Sequence, residues 1–595
     1  MSETIYNANL LFTPSLKVSS FISTETPGNV AVCLSGGGSR AMVAGMGQLL
    51  ALETLINGKT SLLSQSMTLS SVSGGSWVAV PFIFLTPETT DDAFLGGPYT
   101  PPASLTANGI ATLPKGCVAS NITADFDVEF LAALAIVLHW EGIPDNMLWQ
   151  VMLGIHLLLP YGLFQQTDGL PTTYFAYDQS AVGAIQKENS DNPLATETPN
   201  VVAQVSGQSR PYFLCLTAMS VENNTELVPV QSTPFFTGIV GSPPVNDANG
   251  RLVGGGGVTS FGFNSAPASL SGTAVSLIQP RQWTLVDLIG SSSAAYGDLL
   301  IQALKDFTTR PPLLAAALSS NRDSILQHVK LLGLDVDRVA TTIANAVETV
   351  VHGDIATHQA NLSFDPAAIV PSYQYWSPVN STGGETVNPS LFTDGGNLDN
   401  TSLASTLAYS EIENVIAFIN SETALTKDSN SVIVVDRMIP PLFGYQPYDE
   451  TRGYVPYTQP LVSKENAVYA HNQIFDGSDF DVLLTALWEA SGSGTYLNSP
   501  IFKQKLTTLA NSWFGVAGNT PVTVLWVYLE NTVSWSKQLS TEVSQIESDL
   551  VTKMKFPHYD TFTAMELDPQ EIQLLANLAA WTVMTNEATF LSMYT

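Results

Sequence analysis

Charge is scarce in this sequence, and basic charge scarcest. Asp, Glu, Lys and Arg make up 12% of 595 residues, with 22 bases against 52 acids, where about a quarter of residues is usual. The net charge of −30 argues against nucleic acid as a partner and against electrostatic docking on anionic lipid. Contact with a membrane or lipid aggregate would be peripheral and apolar. Cysteine is nearly missing: Cys33, Cys117 and Cys215 are too few for a disulfide framework, and with no C-x-x-C pair or Cys/His cluster no metal or cofactor is expected. The opening Met-Ser-Glu-Thr-Ile-Tyr-Asn7 lacks the basic and apolar regions of a secretory signal. A cytoplasmic or peripheral-membrane protein is therefore expected, with the N-x-S/T sequons at Asn121, Asn223, Asn361, Asn380 and Asn400 as chance matches. No repeat of 20 to 50 residues is apparent.

What is present is a 45% apolar fraction, enough for a large core, and three short motifs. Val32-Cys-Leu-Ser-Gly-Gly-Gly-Ser-Arg-Ala41 is an apolar run ending in three glycines just before a helix-like segment. Glycines let the backbone turn tightly and aim N–H groups at a ligand, and the following helix adds the positive end of its dipole. Ser71-Val-Ser-Gly-Gly-Ser-Trp77 places Ser73 where a strand ends, with Gly74-Gly75 allowing the sharp turn that presents a hydroxyl at a helix N-terminus. Thr393-Asp-Gly-Gly396 supplies a carboxylate far downstream. A nucleotide site is excluded, because Gly36-Gly-Gly-Ser-Arg40 satisfies neither the P-loop nor the dinucleotide glycine pattern.

Together and in this order, the motifs resemble those of the superfamily of cytosolic phospholipases A, fungal phospholipases B and patatins. That pattern has a Gly-rich oxyanion loop with an arginine, a G-x-S-G-[GS] elbow, and an aspartate in D-G-[GA]. One position departs from it, Ser71 standing where the elbow has its first glycine. The resemblance is firm over roughly residues 28–90 and 385–420. It implies a patatin-like three-layer α/β/α fold with a central mixed sheet and a helical cap insertion. It also implies a serine acyl hydrolase cleaving fatty-acyl esters of glycerophospholipids or lysophospholipids. Two alternatives remain: acyl transfer on the same dyad, or a non-catalytic lipid-binding effector. Residues 1–27 leave no room for a calcium-dependent targeting domain of about a hundred residues, so calcium docking is not expected.

The resemblance gives Ser73 as the nucleophile and Asp394 as general base in a Ser–Asp dyad without histidine. A carboxylate near its reference pKa of about 3.9 is a weak base at neutral pH, so burial beside residues such as Leu391 and Phe392 is expected to raise its basicity. Asp476, in Phe475-Asp-Gly-Ser-Asp479, is the rival. Among the seven histidines at 139, 156, 328, 352, 358, 471 and 558, His558 is the one to test for a triad. The backbone N–H groups of Gly37 and Gly38 are the expected oxyanion hole. Arg40 is assigned to a substrate phosphate by the resemblance, against the plainer reading of an arginine bonding loop carbonyls.

The chain reads as a short lead over 1–27 and a catalytic domain over 28–595 with a cap insertion at about 86–208. Strands are expected at 29–34, 67–72, 211–221, 415–419, 432–436 and 522–529. Helices are expected at 41–56, capped by Asn57-Gly58, at 77–85 with a bend at Pro81, and over 313–351. Gly254-Gly-Gly-Gly257 reads as a flexible loop. In the insertion, Phe126 to Trp140 and Asn146 to Phe164 are apolar segments that would line a cap over acyl chains, lie against lipid, or form an ordinary buried pair. Gln150, His156 and Pro160 argue against a membrane span. In the tail, Asp568-Pro569-Gln570-Glu571 signals a capped amphipathic helix.

Overall fold

The computed structural model describes residues 4–13, 16–22, 28–203, 210–221, 224–247, 249–351, 365–562 and 565–595. The sequons at Asn223 and Asn361, His352, His358 and most of the join between lead and first strand lie outside them. The architecture is α/β, a mixed central sheet of fourteen strands surrounded by helices. In chain order the strands are β1 (Tyr6–Phe12), β2 (Val30–Leu34), β3 (Thr68–Val72), β4 (Tyr212–Val221), β5 (Glu226–Ser232), β6 (Phe236–Ile239), β7 (Gly256–Thr259), β8 (Ala266–Ser271), β9 (Ala274–Ile278), β10 (Ser372–Gln374), β11 (Pro389–Asp394), β12 (Asn414–Ile419), β13 (Ile501–Thr507) and β14 (Pro521–Tyr528). They lie in the order β8-β9-β1-β7-β6-β5-β4-β3-β2-β12-β14-β13, with β11 also against β4 and β10 against β11. The five strands β4, β3, β2, β12 and β14 run parallel. Residues Val30–Leu34, Thr68–Val72 and most of Asn414–Ile419 are buried throughout, as a sheet covered on both faces requires.

The register explains how the two distant motifs meet. β3 pairs with the first half of β4 and stops at Val72 opposite Leu216. β11 takes up the same edge of β4 from the other direction, with Asp394 opposite Thr217. Two strands thus meet end to end along one neighbour, and the residue after one lies beside the last residue of the other. Helix α1 (Gly38–Thr54) crosses over from β2 to its parallel neighbour β3, and α2 (Gly74–Ile83) follows β3.

The insertion contributes α3 (Val128–Trp140) and α4 (Leu148–Leu153), the latter running on through a π-type turn at Gly154–Leu158. These lie against α5 (Leu285–Ser292) and α6 (Ala295–Thr309). Phe130 to Leu138 and Leu148 to Leu158 are buried, with Leu157 and Leu158 wholly so. Of the three readings of these segments, the burial favours the ordinary buried pair over a lipid-facing surface, since most of their apolar side chains are already covered by protein. Among the described residues no helix is long and apolar enough to cross a membrane. The helices Pro311–Ser320, Arg322–Leu331 and Val336–Val351 fill the expected helical stretch. In the tail, α7 (Pro569–Thr585) has both halves of its capping box and packs on α1 so closely that a Cβ on Gly47 would sit 2.1 Å from Ala576 O.

Three local expectations fail. Asn57-Gly58 does not cap α1, which ends at Thr54 with Leu55 as its C-cap; Ile56–Asn57 instead pairs with Thr60–Ser61 around Gly58 at φ 72°, the hairpin that an Asn-Gly pair also encodes. Of Val432 to Asp436 only Ile433–Val434 is paired, because the N–H groups of Val435 and Asp436 go to the hydroxyls of Tyr454 and Tyr528. Only half of the second glycine run is loop: Gly256 and Gly257 are strand residues between β1 and β6, where a Cβ on Gly256 would lie 2.2 Å from Leu11 O.

His156, in the π-type turn, stacks on His328 at 4.9 Å, and its Nδ1 and Nε2 lie 2.8 and 2.9 Å from Met152 O and Asp125 O. Burial, with the neighbouring His328 adding to it, pushes His156 down to about 4. The folded state therefore holds it neutral across a window where the unfolded chain binds a proton. Its contribution is fully present above the unfolded value of about 6.5 and is lost as pH falls toward 4, on the order of 3 kcal/mol in all. The melting temperature should fall over that interval, and the slope should be shallower in His156→Gln.

Candidate active site

The elbow is built from backbone strain and a cluster of small polar side chains. Ser73 sits between β3 and α2 at φ 51°, ψ −128°, a conformation that costs a non-glycine residue of order 1–3 kcal/mol and concentrates at functional sites. Its N–H is held by Ser292, donating to Oγ at 3.0 Å and to the carbonyl at 3.1 Å. Ser71, the departure from the elbow pattern, is accommodated inside the same cluster. Its hydroxyl lies 3.0 Å from Ser76 Oγ, which is in turn 3.0 Å from Ser292 Oγ, and Ser292 donates to Leu216 O at 2.7 Å. The extra hydroxymethyl thus bonds within the cluster.

Ser73 Oγ donates to Asp394 Oδ2 at 2.9 Å, and both side chains are buried. The carboxylate is fixed from two more sides: Ala295 N donates to Oδ2 at 3.3 Å and Gly396 N to Oδ1 at 2.7 Å. With Oδ1 so occupied, Oδ2 is the oxygen left facing the serine. The rival, Asp476, is exposed at the start of the helix Ser478–Ala490 and accepts from Ser478. That hydrogen bond holds it below the ordinary carboxylate range, and it does not line the cavity around Ser73. His558 is also elsewhere, with Nε2 3.0 Å from Glu530 Oε1 and Nδ1 2.9 Å from Ser421 O.

The glycine loop runs past the elbow at van der Waals distance. Gly36 donates to Asn400 O at 3.0 Å. Gly37 at φ 131° and Gly38 at φ 56° occupy conformations closed to most side chains. No protein acceptor takes the N–H of either among the described residues, so both remain for a ligand, beside the start of α1. The loop is tethered by the chain before α7: Thr561 Oγ1 donates to Gly37 O at 2.8 Å, Ser39 Oγ to Met565 O, and Arg40 Nη1 to Tyr559 O. Arg40 is buried, and its Nε also donates to a carbonyl, that of Asn420, at 3.0 Å. Burial lowers its guanidinium from the ordinary value, opposed by Tyr296, Glu422, Asp436 and Asp560. The carbonyl-bonding reading of Arg40 is therefore realised, while the side chain also lines the cavity.

Contact between elbow and loop is tight enough to be tested. A Cβ on Gly74 would lie 2.3 Å from Gly38 O and 2.4 Å from Gly38 N, backbone atoms that cannot swing aside. Gly74→Ala should push loop and serine apart and, since a shift of about 1 Å in a reacting group can cost 10²-fold, lower kcat by about that factor in a steady-state ester assay.

Ser73, Asp394, Gly37 and Arg40 share a small cavity of about 50 Å3 with Tyr296, Asn397, Asn400, Arg437, Met438 and Phe562. A wider hollow of about 860 Å3 between Glu53, Phe84, Gln165 and Arg210 contains none of the dyad. Sequence reasoning missed Ser292 and Tyr296. The run Gly290-Ser-Ser-Ser-Ala-Ala-Tyr296 carries no motif, and only the register of the sheet brings it to the dyad.

Residues 30–85 match the family model of the lysophospholipase catalytic domain. No curated protein matches the chain. Among solved structures, human GIVD cytosolic phospholipase A2 aligns with 97% of this chain and 62% of its own length, at 14% identity and a TM-score of 0.43. The same human protein in complex with methyl gamma-linolenyl fluorophosphonate aligns with 97% and 61%, at 13% identity and a TM-score of 0.41. This chain thus covers less than two thirds of those proteins.

Proposed function

We propose that the chain is a serine acyl hydrolase that cleaves fatty-acyl esters of glycerophospholipids or lysophospholipids. The observation that carries the reading is the 2.9 Å hydrogen bond from Ser73 Oγ to Asp394 Oδ2, on a strained elbow beside two unengaged glycine N–H groups. The matched family segment supports it, since residues 30–85 include the glycine loop, Arg40 and Ser73.

In this mechanism Ser73 Oγ attacks the ester carbonyl carbon while its proton passes to Asp394 Oδ2. The carbonyl oxygen becomes an oxyanion and is met by the N–H groups of Gly37 and Gly38, donors worth about 3 kcal/mol each in such a site. Collapse breaks the bond to the alcohol oxygen, which leaves with the proton from Asp394, and the acyl group stays on Ser73. Water then attacks the acyl carbon, Asp394 takes its proton, and the second collapse returns that proton to Ser73 and releases the fatty acid. Arg40, at the helix start with two of its nitrogens on carbonyls, adds positive charge beside the oxyanion and turns its remaining N–H groups toward a substrate phosphate.

The test is fatty-acid release from lysophosphatidylcholine micelles and from phosphatidylcholine vesicles. The parent protein should release fatty acid from at least one of them and Ser73→Ala from neither. Equal release by both proteins, or none by the parent, contradicts the proposal.

A further inference from the structure

Tyr296 stands between the two halves of this machinery. It is the second residue of α6, whose first residue, Ala295, donates its N–H to Asp394 Oδ2. Its ring is fully buried, stacked on Phe562 at 4.9 Å with the planes 4° apart and flanked by Trp77 at 5.1 Å. That packing carries the hydroxyl to the glycine loop, where a Cβ on Gly38 would fall 2.0 Å from the phenolic oxygen. The hydroxyl has no hydrogen-bond partner among the described residues. Thr561, the neighbouring hydroxyl, donates its own proton to Gly37 O.

A buried polar atom without a partner is rare in folded proteins, and each case calls for a reason. Several buried side-chain atoms are in that situation among the described residues, and this one is singled out because Tyr296 lines the same cavity as Ser73, Gly37 and Asp394. Burial raises the phenol above its ordinary value, so it keeps its proton at neutral pH and acts as a donor.

We infer that the Tyr296 hydroxyl is a third donor to the oxyanion, engaged only when the substrate carbonyl oxygen comes within reach of it beside the glycine N–H groups; this rests on the acyl-hydrolase reading. No proton moves in the step: as the Ser73 Oγ bond to carbon forms, the electron pair of the carbonyl goes to oxygen, and Tyr296 O–H donates to it alongside the two N–H groups. A donor unpartnered in the resting site and bonded in the tetrahedral state stabilises the transition state alone, the condition for raising kcat.

The experiment is Tyr296→Phe, which keeps the ring stack and removes one oxygen. Expected is a fall in kcat of about 10²-fold, with KM within about twofold and no loss of melting temperature. An acyl trifluoromethyl ketone, which forms a tetrahedral adduct on serine, should lose affinity by a factor similar to that in kcat/KM, and an unreactive ether analogue of the substrate should not. Parent-like kcat, a loss shared equally by the ether analogue, or insoluble protein would each place the hydroxyl outside the reaction and overturn the inference. Ser73→Ala run alongside separates the two levels. If the parent shows no Ser73-dependent hydrolysis, the acyl-hydrolase reading falls and this inference with it; if Ser73 is required and Tyr296→Phe is unaffected, this inference alone falls.

Discussion

Alanine at position 73 is expected to lower kcat on a lysophospholipid by at least about 10⁴-fold, and asparagine at position 394 by a similar factor, with both proteins folded. In the proposed mechanism the two residues form one proton path, so either change removes the whole of it. Asp394→Asn keeps the shape and, through its one amide oxygen, one of the two hydrogen bonds that Ala295 and Gly396 donate to the carboxylate, while removing the charge that draws the serine proton. The double variant should be no slower than the slower single one, because effects within one unit do not add. Residual turnover in all three should be similar and come from the glycine donors and binding alone. Rapid turnover by Asp394→Asn, or a double variant slower by the product of the two losses, would mean that a different base serves Ser73.

A second large effect is expected far from the dyad. Leu157→Glu or Leu158→Glu places a carboxylate at a position with no solvent exposure, in the turn that also carries the buried His156. Burying an unpaired charge costs several kcal/mol, and changes of more than about 4 kcal/mol are rare and diagnostic of such a mechanism. The expected outcome is a sharply lowered melting temperature and parallel loss of activity on short soluble esters and on aggregated phospholipid. Normal melting, with activity lost only on aggregates, would instead describe a surface that opens onto lipid.

These two regions show what a single sequence discloses. That Ser73, Asp394 and the glycine loop come together was legible because such an arrangement demands particular residue types at short spacing: glycine where φ is positive, a small residue after the elbow serine, a carboxylate before Gly395-Gly396. The parallel strands were legible for a related reason, as short β-branched runs bounded by turns. The buried place of Phe126 to Phe164 was not, since an apolar helix reads the same whether protein or lipid covers it, and what covers it here are helices from residues 285–331, remote in sequence. Asn57-Gly58 failed through degeneracy, because the same dipeptide ends a helix or turns a hairpin. Ser292 and Tyr296 were invisible because their places beside Ser73 come from the register that sets β11 against β4, and neither belongs to a local pattern. Arg40 was found by pattern, while its bonds to Asn420 O and Tyr559 O depend on segments hundreds of residues away.

The central claim is that Ser73 carries the acyl group between the two halves of the reaction. The most direct test is mass spectrometry of the protein quenched in acid within the first turnovers on a lysophospholipid. The account predicts one acyl mass on the peptide containing Ser73, absent from Ser73→Ala and accumulating far more slowly in Asp394→Asn. Fatty-acid release at the parent rate with no acyl mass on that peptide, or an acyl mass on another residue, would contradict it.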